Sequence, residues 1–443
     1  MIQFSPQVIG VIGLTALLLL ICARFPVALA LALVSVAGLF ALVGVSSTLS
    51  LVAAMPYDFA ANWELSAIPM FLLMGALAYH TGMTSDLYGA ARVWLRGLPG
   101  GLAVASNFAC AGFAAVSGSS VATTVAMGRI AVPEMLRAGY DKSIATGTVA
   151  CAGTLGSLIP PSVLMIVYGI FTGQSVGDLF LAGVMPGLLT ASIYAAMLMI
   201  RCKLNPALAP SIEAAVPLRE KLIMLARIWP LPALIIGVIG SIYGGIATPT
   251  EAGALGVVLT LVIAILRRQI SWNIVRLSIG EALDSTAAIF FVSVGAVMLT
   301  RFLLFSGVPA LLTGLVQDWS LNLFMLLVIA SVIYLILGCF LEPIGLVLIT
   351  LPVLLPAFQT MNVNLIWYGI IVVKFVEIGL MTPPVGLNVF AMKVVVGDAV
   401  PLETIFRGVS WFLFCEAIVI VLLVAFPAIA LWLPGLSWTP VLF

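Results

Sequence analysis

Four long apolar stretches, Pro6–Cys22, Pro26–Gly44, Leu179–Ile200 and Ile405–Leu433, limit this chain more than any other feature. Each approaches or exceeds the roughly 20 residues that cross a hydrocarbon core of about 30 Å. They are apolar on every side, whereas a transmembrane barrel alternates apolar and polar positions. The stretches therefore predict helices, which satisfy their own backbone polar groups in lipid. With 63% hydrophobic and 8% charged residues, the chain cannot present the mixed charged surface of an ordinary soluble domain. Its predicted class is an all-α polytopic membrane protein, with the lipid bilayer as its surroundings.

Composition excludes other classes. A formal charge of +1 offers no concentrated basic face, so nucleic acid is not an expected partner. The six cysteines are scattered without ligand spacing, and His80 is the single histidine. Buried small hydrophobes and an interfacial imidazole are the expected roles, with no transition metal and no organic cofactor. Met1–Pro6 lacks a positive leader region, so the first helix is expected to remain uncleaved.

Positive charges cluster at Arg24, at Arg92 and Arg96, at Arg137 and Lys142, and across 201–227 and 267–276, then at Lys393 and Arg407. Placing these on the cytoplasmic side gives ten crossings, near 6–22, 26–44, 66–80, 142–170, 179–200, 228–246, 250–266, 283–305, 366–395 and 404–433. Both ends then face the periplasm. Residues 101–136 and 321–358 each enter and leave on one side, with breaks at Ser117–Ser120 and at Gly338–Pro343. They read as re-entrant helical hairpins, the first opening to the cytoplasm and the second to the periplasm. Non-helical backbone at membrane depth is tolerated where protein or a watery cavity satisfies it, so each tip marks a lined site.

A crossing interrupted by a double proline follows each hairpin, at Pro160-Pro161 and Pro383-Pro384. Proline removes an amide donor and disfavours helical geometry in the preceding residue, which frees carbonyls. One offset of 223 residues relates Pro133 to Pro356, Ser119 to Glu342, Gly156 to Gly379 and Pro160 to Pro383. An offset of 225 relates Gly82 to Gly307 and Gly183 to Gly408. The halves are therefore repeats, and the charge map inverts one against the other. Paired broken helices in inverted halves point to a secondary transporter with a site at their meeting. The expected division is 1–65 for N-terminal scaffold helices, 66–200 for the first repeat, 201–282 for central scaffold helices, 283–433 for the second repeat and 434–443 for a tail.

At the first tip, Ser117, Gly118, Ser119, Ser120, Thr123 and Thr124 gather hydroxyls opposite carbonyls expected around Gly153–Ser157. Such oxygens suit a hard cation, and half-helix amino ends favour an anionic group. Close helix packing by small residues is the competing reading. Glu342 stands at the second tip in register with Ser119 and is the better candidate ligand there. Lys374 and Glu377 are either functional charges or an ion pair that neutralises itself. Asn388 offers an amide oxygen beyond the second break. Arg301 either counters a substrate carboxylate or, the favoured reading, snorkels to the interface.

The run Gly139–Lys142 leading into Gly153–Ser162, then Tyr168-Gly169, resembles the signature of the large membrane (M) subunit of TRAP (tripartite ATP-independent periplasmic) transporters. The Ser117–Ser120 tip and Thr382–Asn388 are similar to that family too, and the resemblance spans essentially the whole chain. It implies an elevator-type fold like that of the ion transporter superfamily, and sodium-coupled symport of a carboxylate. It also implies two partners, a small four-helix membrane (Q) subunit and a soluble periplasmic substrate-binding (P) protein, in a bacterial inner membrane. No four-helix segment leads this sequence, so the small subunit is expected as a separate polypeptide. The family more often carries Asp where Glu342 stands, and the added methylene alters that site's reach.

The expected sodium positions are Ser117, Gly118, Ser119, Ser120, Gly153, Gly156 and Ser157 at the first tip. At the second they are Cys339, Glu342, Gly379, Met381 and Thr382. Expected substrate positions are Ser119, Thr123, Pro160, Pro161, Glu342, Pro383, Pro384, Asn388 and Arg301. A self-sufficient carboxylate or ion exchanger of the same plan is the alternative. An intramembrane enzyme is disfavoured because no base and nucleophile pair is discernible. A passive scaffold subunit is disfavoured because it needs no irregular backbone at the midplane.

Overall fold

The computed structural model describes residues 5–23, 25–210 and 217–436. Arg24 and the tail beyond Leu436 lie outside the described residues. Every regular element among those described is helical. Among the described residues, five helices are long and apolar enough to cross a membrane alone: Val176–Leu204, Pro249–Leu266, Trp272–Ser306, Pro343–Thr360 and Leu402–Ala425. Counting each of two bent pairs as one span brings the number to seven. The expected crossings at 6–22 and 26–44 form the helices Pro6–Cys22 and Val27–Val43, each 17 residues long.

Both hairpins form where the sequence breaks. The first consists of Gly101–Ser117 and Ser120–Arg137. Gly118 between them takes φ +61°, a left-handed conformation that glycine adopts without steric cost. Ser119, with extended backbone, caps the returning helix by accepting from the Ala122 amide at 3.4 Å. The second hairpin consists of Leu323–Gly338 and Pro343–Thr360. Pro343 starts its helix at the position where its missing N–H costs nothing, and holds Glu342 in extended geometry.

Each broken crossing divides at its double proline. The first runs as Lys142–Ala152, a tight turn Gly153–Ser157, then Val163–Thr172; the second runs as Leu365–Met381 and Leu387–Val396. Pro160-Pro161 and Pro383-Pro384 are both joined by cis peptide bonds. The repeat extends to contacts. The Gly118 carbonyl accepts from the Val163 amide at 3.4 Å, and the Cys339 carbonyl accepts from the Gly386 amide at 3.2 Å. Residues 163 and 386 are themselves 223 apart.

Lipid supplies no hydrophobic drive between helices, so close approach and hydrogen bonds carry much of the packing. Gly156 and its repeat partner Gly379 show the approach directly. A Cβ on Gly156 would lie 2.6 Å from the Ser119 carbonyl oxygen, and one on Gly379 would lie 2.8 Å from the Gly338 Cα. Each broken helix thus meets its own hairpin tip through a residue that has to be glycine.

Among the described residues, four α-helices lie outside the expected crossings and hairpins. Val45–Ala60 is bent by 52° against the segment Trp63–His80 that follows it. Met83–Leu95, Leu218–Arg227 and Val308–Asp318 carry charge or amphipathic pattern rather than an unbroken apolar face. Gly82 and Gly307, paired by the repeat, both precede such a helix with positive φ. The expected crossing at 404–433 ends at Ala425 and resumes as Ala428–Leu436, because Pro427 disfavours helical geometry at Phe426. The division drawn at 282/283 falls inside the 35-residue helix Trp272–Ser306, about 52 Å long. That helix packs along Val27–Val43, Ala67–His80 and Pro343–Thr360.

Candidate functional site

The two hairpin tips face one cavity of about 300 Å³. Gly118, Ser119, Ser120 and Ser157 line it from the first repeat, and Glu342 lines it from the second. Ser285, Ala288 and Ile289 of the long helix Trp272–Ser306 and Leu72 of Ala67–His80 add to the wall. Three helices begin at its edge, since Ser120, Val163 and Pro343 all line it and each is the first residue of its helix. A helix amino end carries roughly half a positive charge and presents free amide donors. Three such ends around one cavity favour an anion, and the Glu342 carboxylate beside them favours a cation.

Hydroxyls knit the first tip. The Ser117 and Thr123 hydroxyls are 2.7 Å apart, and Thr123 also donates to the Ser119 carbonyl at 2.8 Å. Ser120 donates to the Thr154 carbonyl at 3.2 Å, and its hydroxyl lies 2.5 Å from that of Ser157. Thr124 differs: its hydroxyl is buried without a hydrogen-bond partner and points at Gly153, where a Cβ would stand only 1.9 Å away. A buried unpaired hydroxyl costs about 1–3 kcal/mol, which an ion beside it would offset.

The remaining expected positions separate. Gly153 and Gly156 are buried against Thr124 and Ser119, and Pro160 and Pro161 are buried near the tip without lining the cavity. At the second tip, the Cys339 thiol donates to the Leu335 carbonyl at 3.0 Å and the Pro383 carbonyl at 3.3 Å. Gly379, Met381 and Thr382 form that contact region, and the Thr382 hydroxyl returns to the Ile378 carbonyl at 2.6 Å. Pro383 and Pro384 are exposed. Asn388 is buried and donates to the Ala150 carbonyl at 3.3 Å, leaving its own Oδ1 without a partner. Arg301 is exposed and lines none of the described cavities.

Lys374 and Glu377 do pair, at 2.7 Å and fully buried, but not by themselves. Glu416 of Leu402–Ala425 lies 2.7 Å from the same ammonium and also accepts from the Tyr194 hydroxyl. Thr190 stands 3.3 Å from Lys374, so three helices meet at one polar cluster. Ser285, Glu281 and Arg129 also line cavities at the first tip, and none of them is among the expected site positions. Arg129 lies inside the first hairpin, apart from the cytoplasmic charge clusters, and a charge at such a position is itself a signal.

Two hairpin tips that share one cavity, each followed by an interrupted helix, define a polytopic transport protein. Residues 14–429 match the family described as tripartite ATP-independent periplasmic transporter, DctM component. The chain is 36% identical over 387 residues to the C4-dicarboxylate TRAP transporter large permease protein DctM of Pseudomonas aeruginosa, covering 86% of this chain and 88% of that one. It is 33% identical to the Vibrio cholerae protein of the same description, covering 94% and 95%. It is 32% identical to the ectoine/5-hydroxyectoine TRAP transporter large permease protein UehC of Ruegeria pomeroyi, covering 85% and 87%. The YdaH transporter of Alcanivorax borkumensis shares the fold, with a TM-score of 0.63 over 89% of this chain and 90% of that one, at 14% identity. This chain belongs to the DctM family and is a TRAP transporter large permease. Its relatives are permeases rather than enzymes.

Proposed function

We propose that this permease is the inner-membrane part of a sodium-driven uptake system for an organic anion, and that the cavity between the tips is its site. The convergence of three helix amino ends with Ser119, Ser157 and Glu342 on that cavity carries the reading. Sodium travels as cargo. The unpaired Thr124 hydroxyl beside Gly153 and the unpaired Asn388 oxygen support cation positions near the two breaks. The hairpins and broken helices move together against the remaining helices, in an elevator motion that carries the site across the membrane. A small four-helix subunit and a periplasmic binding protein complete the system; the isethionate relative of Oleidesulfovibrio alaskensis is described as a DctMQ permease, which supports a membrane partner.

Relatives are named for C4-dicarboxylates, ectoine and isethionate, so carboxylates are the first class to test and a sulfonate the second. The test is uptake into proteoliposomes holding the permease and small subunit, with binding protein added outside and an inward sodium gradient imposed. Succinate, ectoine and isethionate serve as probes. Accumulation of one of them that collapses without the gradient is the expected result. Uptake by this chain alone, with no binding protein, would contradict the three-part system and favour a self-sufficient exchanger.

A further inference from the structure

Arg129 stands in the middle of Ser120–Arg137, ten residues beyond Ser119 and so about 15 Å along the helix from the tip. Its side chain is exposed, and it lines a second cavity of about 290 Å³. That cavity shares Leu72, Ser119 and Ser285 with the first, so the two adjoin along one wall. Among the described residues Arg129 makes no ion pair. A carboxylate is nevertheless present in the same cavity. Glu281 of the long helix lines it, but His80 on the neighbouring wall holds Glu281 at 3.0 Å.

An unpaired guanidinium within a membrane hairpin is costly unless it faces water or an anionic partner. Its planar fork of donors matches a carboxylate or sulfonate bidentately, which a lysine cannot reproduce. We infer that Arg129 is a binding residue for the anionic group of the transported substrate, forming a second subsite beside the first hairpin, while His80 keeps Glu281 from occupying it. This rests on the transport reading for the word substrate, but the anion site itself does not. In that arrangement the anion passes between the Ser119 tip and Arg129 along the shared wall. The charge map places the open side of this hairpin at the cytoplasm, so the subsite receives the anion on its way in.

The experiment is arginine modification by phenylglyoxal on the purified full-length chain in lipid nanodiscs, read at Arg129 by peptide mass spectrometry. Sodium succinate, isethionate or ectoine is compared with matched sodium chloride. At saturating probe, at least one of the three slows modification of Arg129 by about fivefold or more, while Arg137 is unaffected. His80→Ala, which releases Glu281, weakens that protection. An Arg129 that resists the reagent in chloride, or that reacts equally with all three probes and chloride, overturns the inference. Loss of vesicle uptake with protection intact would instead contradict the transport reading and leave the subsite standing.

Discussion

Lys374 and Glu416 lie on different helices, yet the lysine ammonium and the glutamate carboxylate approach to 2.7 Å with both side chains fully buried. The cluster also holds Glu377, Tyr194 and Thr190, and it ties Leu365–Met381 to Val176–Leu204 and Leu402–Ala425. Removing one member leaves a buried charge uncompensated, at a cost of about 3–5 kcal/mol. Lys374→Ala is expected to lower the melting temperature of the detergent-solubilised protein sharply. Lys374→Met with Glu377→Gln and Glu416→Gln removes all three formal charges and should recover a large part of the loss. A single variant as stable as the parent would show that the cluster does not tie the helices.

Gly156 meets the Ser119 carbonyl so closely that any side chain must push the first tip away from its broken helix. Gly156→Ala should reduce sodium-driven uptake by more than about tenfold, corresponding to roughly 1.4 kcal/mol in affinity or barrier. Gly89, with open space around it, provides the contrast: Gly89→Ala should leave uptake unchanged. Parallel initial-rate measurements on both variants check this.

Thr124 offers a buried hydroxyl with no protein partner. If it is a sodium ligand, Thr124→Val raises the sodium concentration for half-maximal uptake by about tenfold or more, in keeping with a lost interaction of 1–3 kcal/mol. Thr124→Ser keeps the oxygen and should stay near the parent value. A sodium titration in proteoliposomes at fixed binding protein reads both.

Asp141 lies outside the membrane-spanning segments and caps Lys142–Ala152, accepting from the Ser143 amide at 2.8 Å and from the Ser143 hydroxyl. Partial burial pushes its pKa up, but these hydrogen bonds outweigh that and hold the carboxyl below the usual aspartate range. A depressed value stabilises the fold above the ordinary range of about 4, and the contribution disappears as pH falls through the lowered value. Asp141→Ala should cost about 1 kcal/mol at neutral pH, whereas Asp141→Asn keeps a cap and flattens the acid dependence. Thermal unfolding followed from neutral pH into the acid range distinguishes them.

Much of this architecture was legible because breaks in membrane helices are written in glycine and proline. Gly118, Pro343 and the two double prolines mark both hairpins and both interrupted helices, and the 223-residue offset links them in the sequence itself. Short helices such as Met83–Leu95 were not legible, since their charges interrupt the apolar run that signals a span. The Lys374–Glu377 pair was visible at helical spacing, but Glu416 and Tyr194 join it only through tertiary packing. Ser119 and Glu342 were matched by register, and both line the same cavity. The wall formed by Ser285 and Ile289 had no local signal, because a serine in a long apolar helix is ordinary.

The most direct measurement is sodium-driven uptake by a variant carrying both Ser119→Ala and Glu342→Gln, in proteoliposomes holding the complete system. Folding is verified by an unchanged elution profile and melting temperature. The account predicts loss of uptake below about one-tenth of the parent rate for whichever probe the parent transports. A folded double variant that transports at the parent rate would contradict the claim that the cavity between the two tips is the transport site.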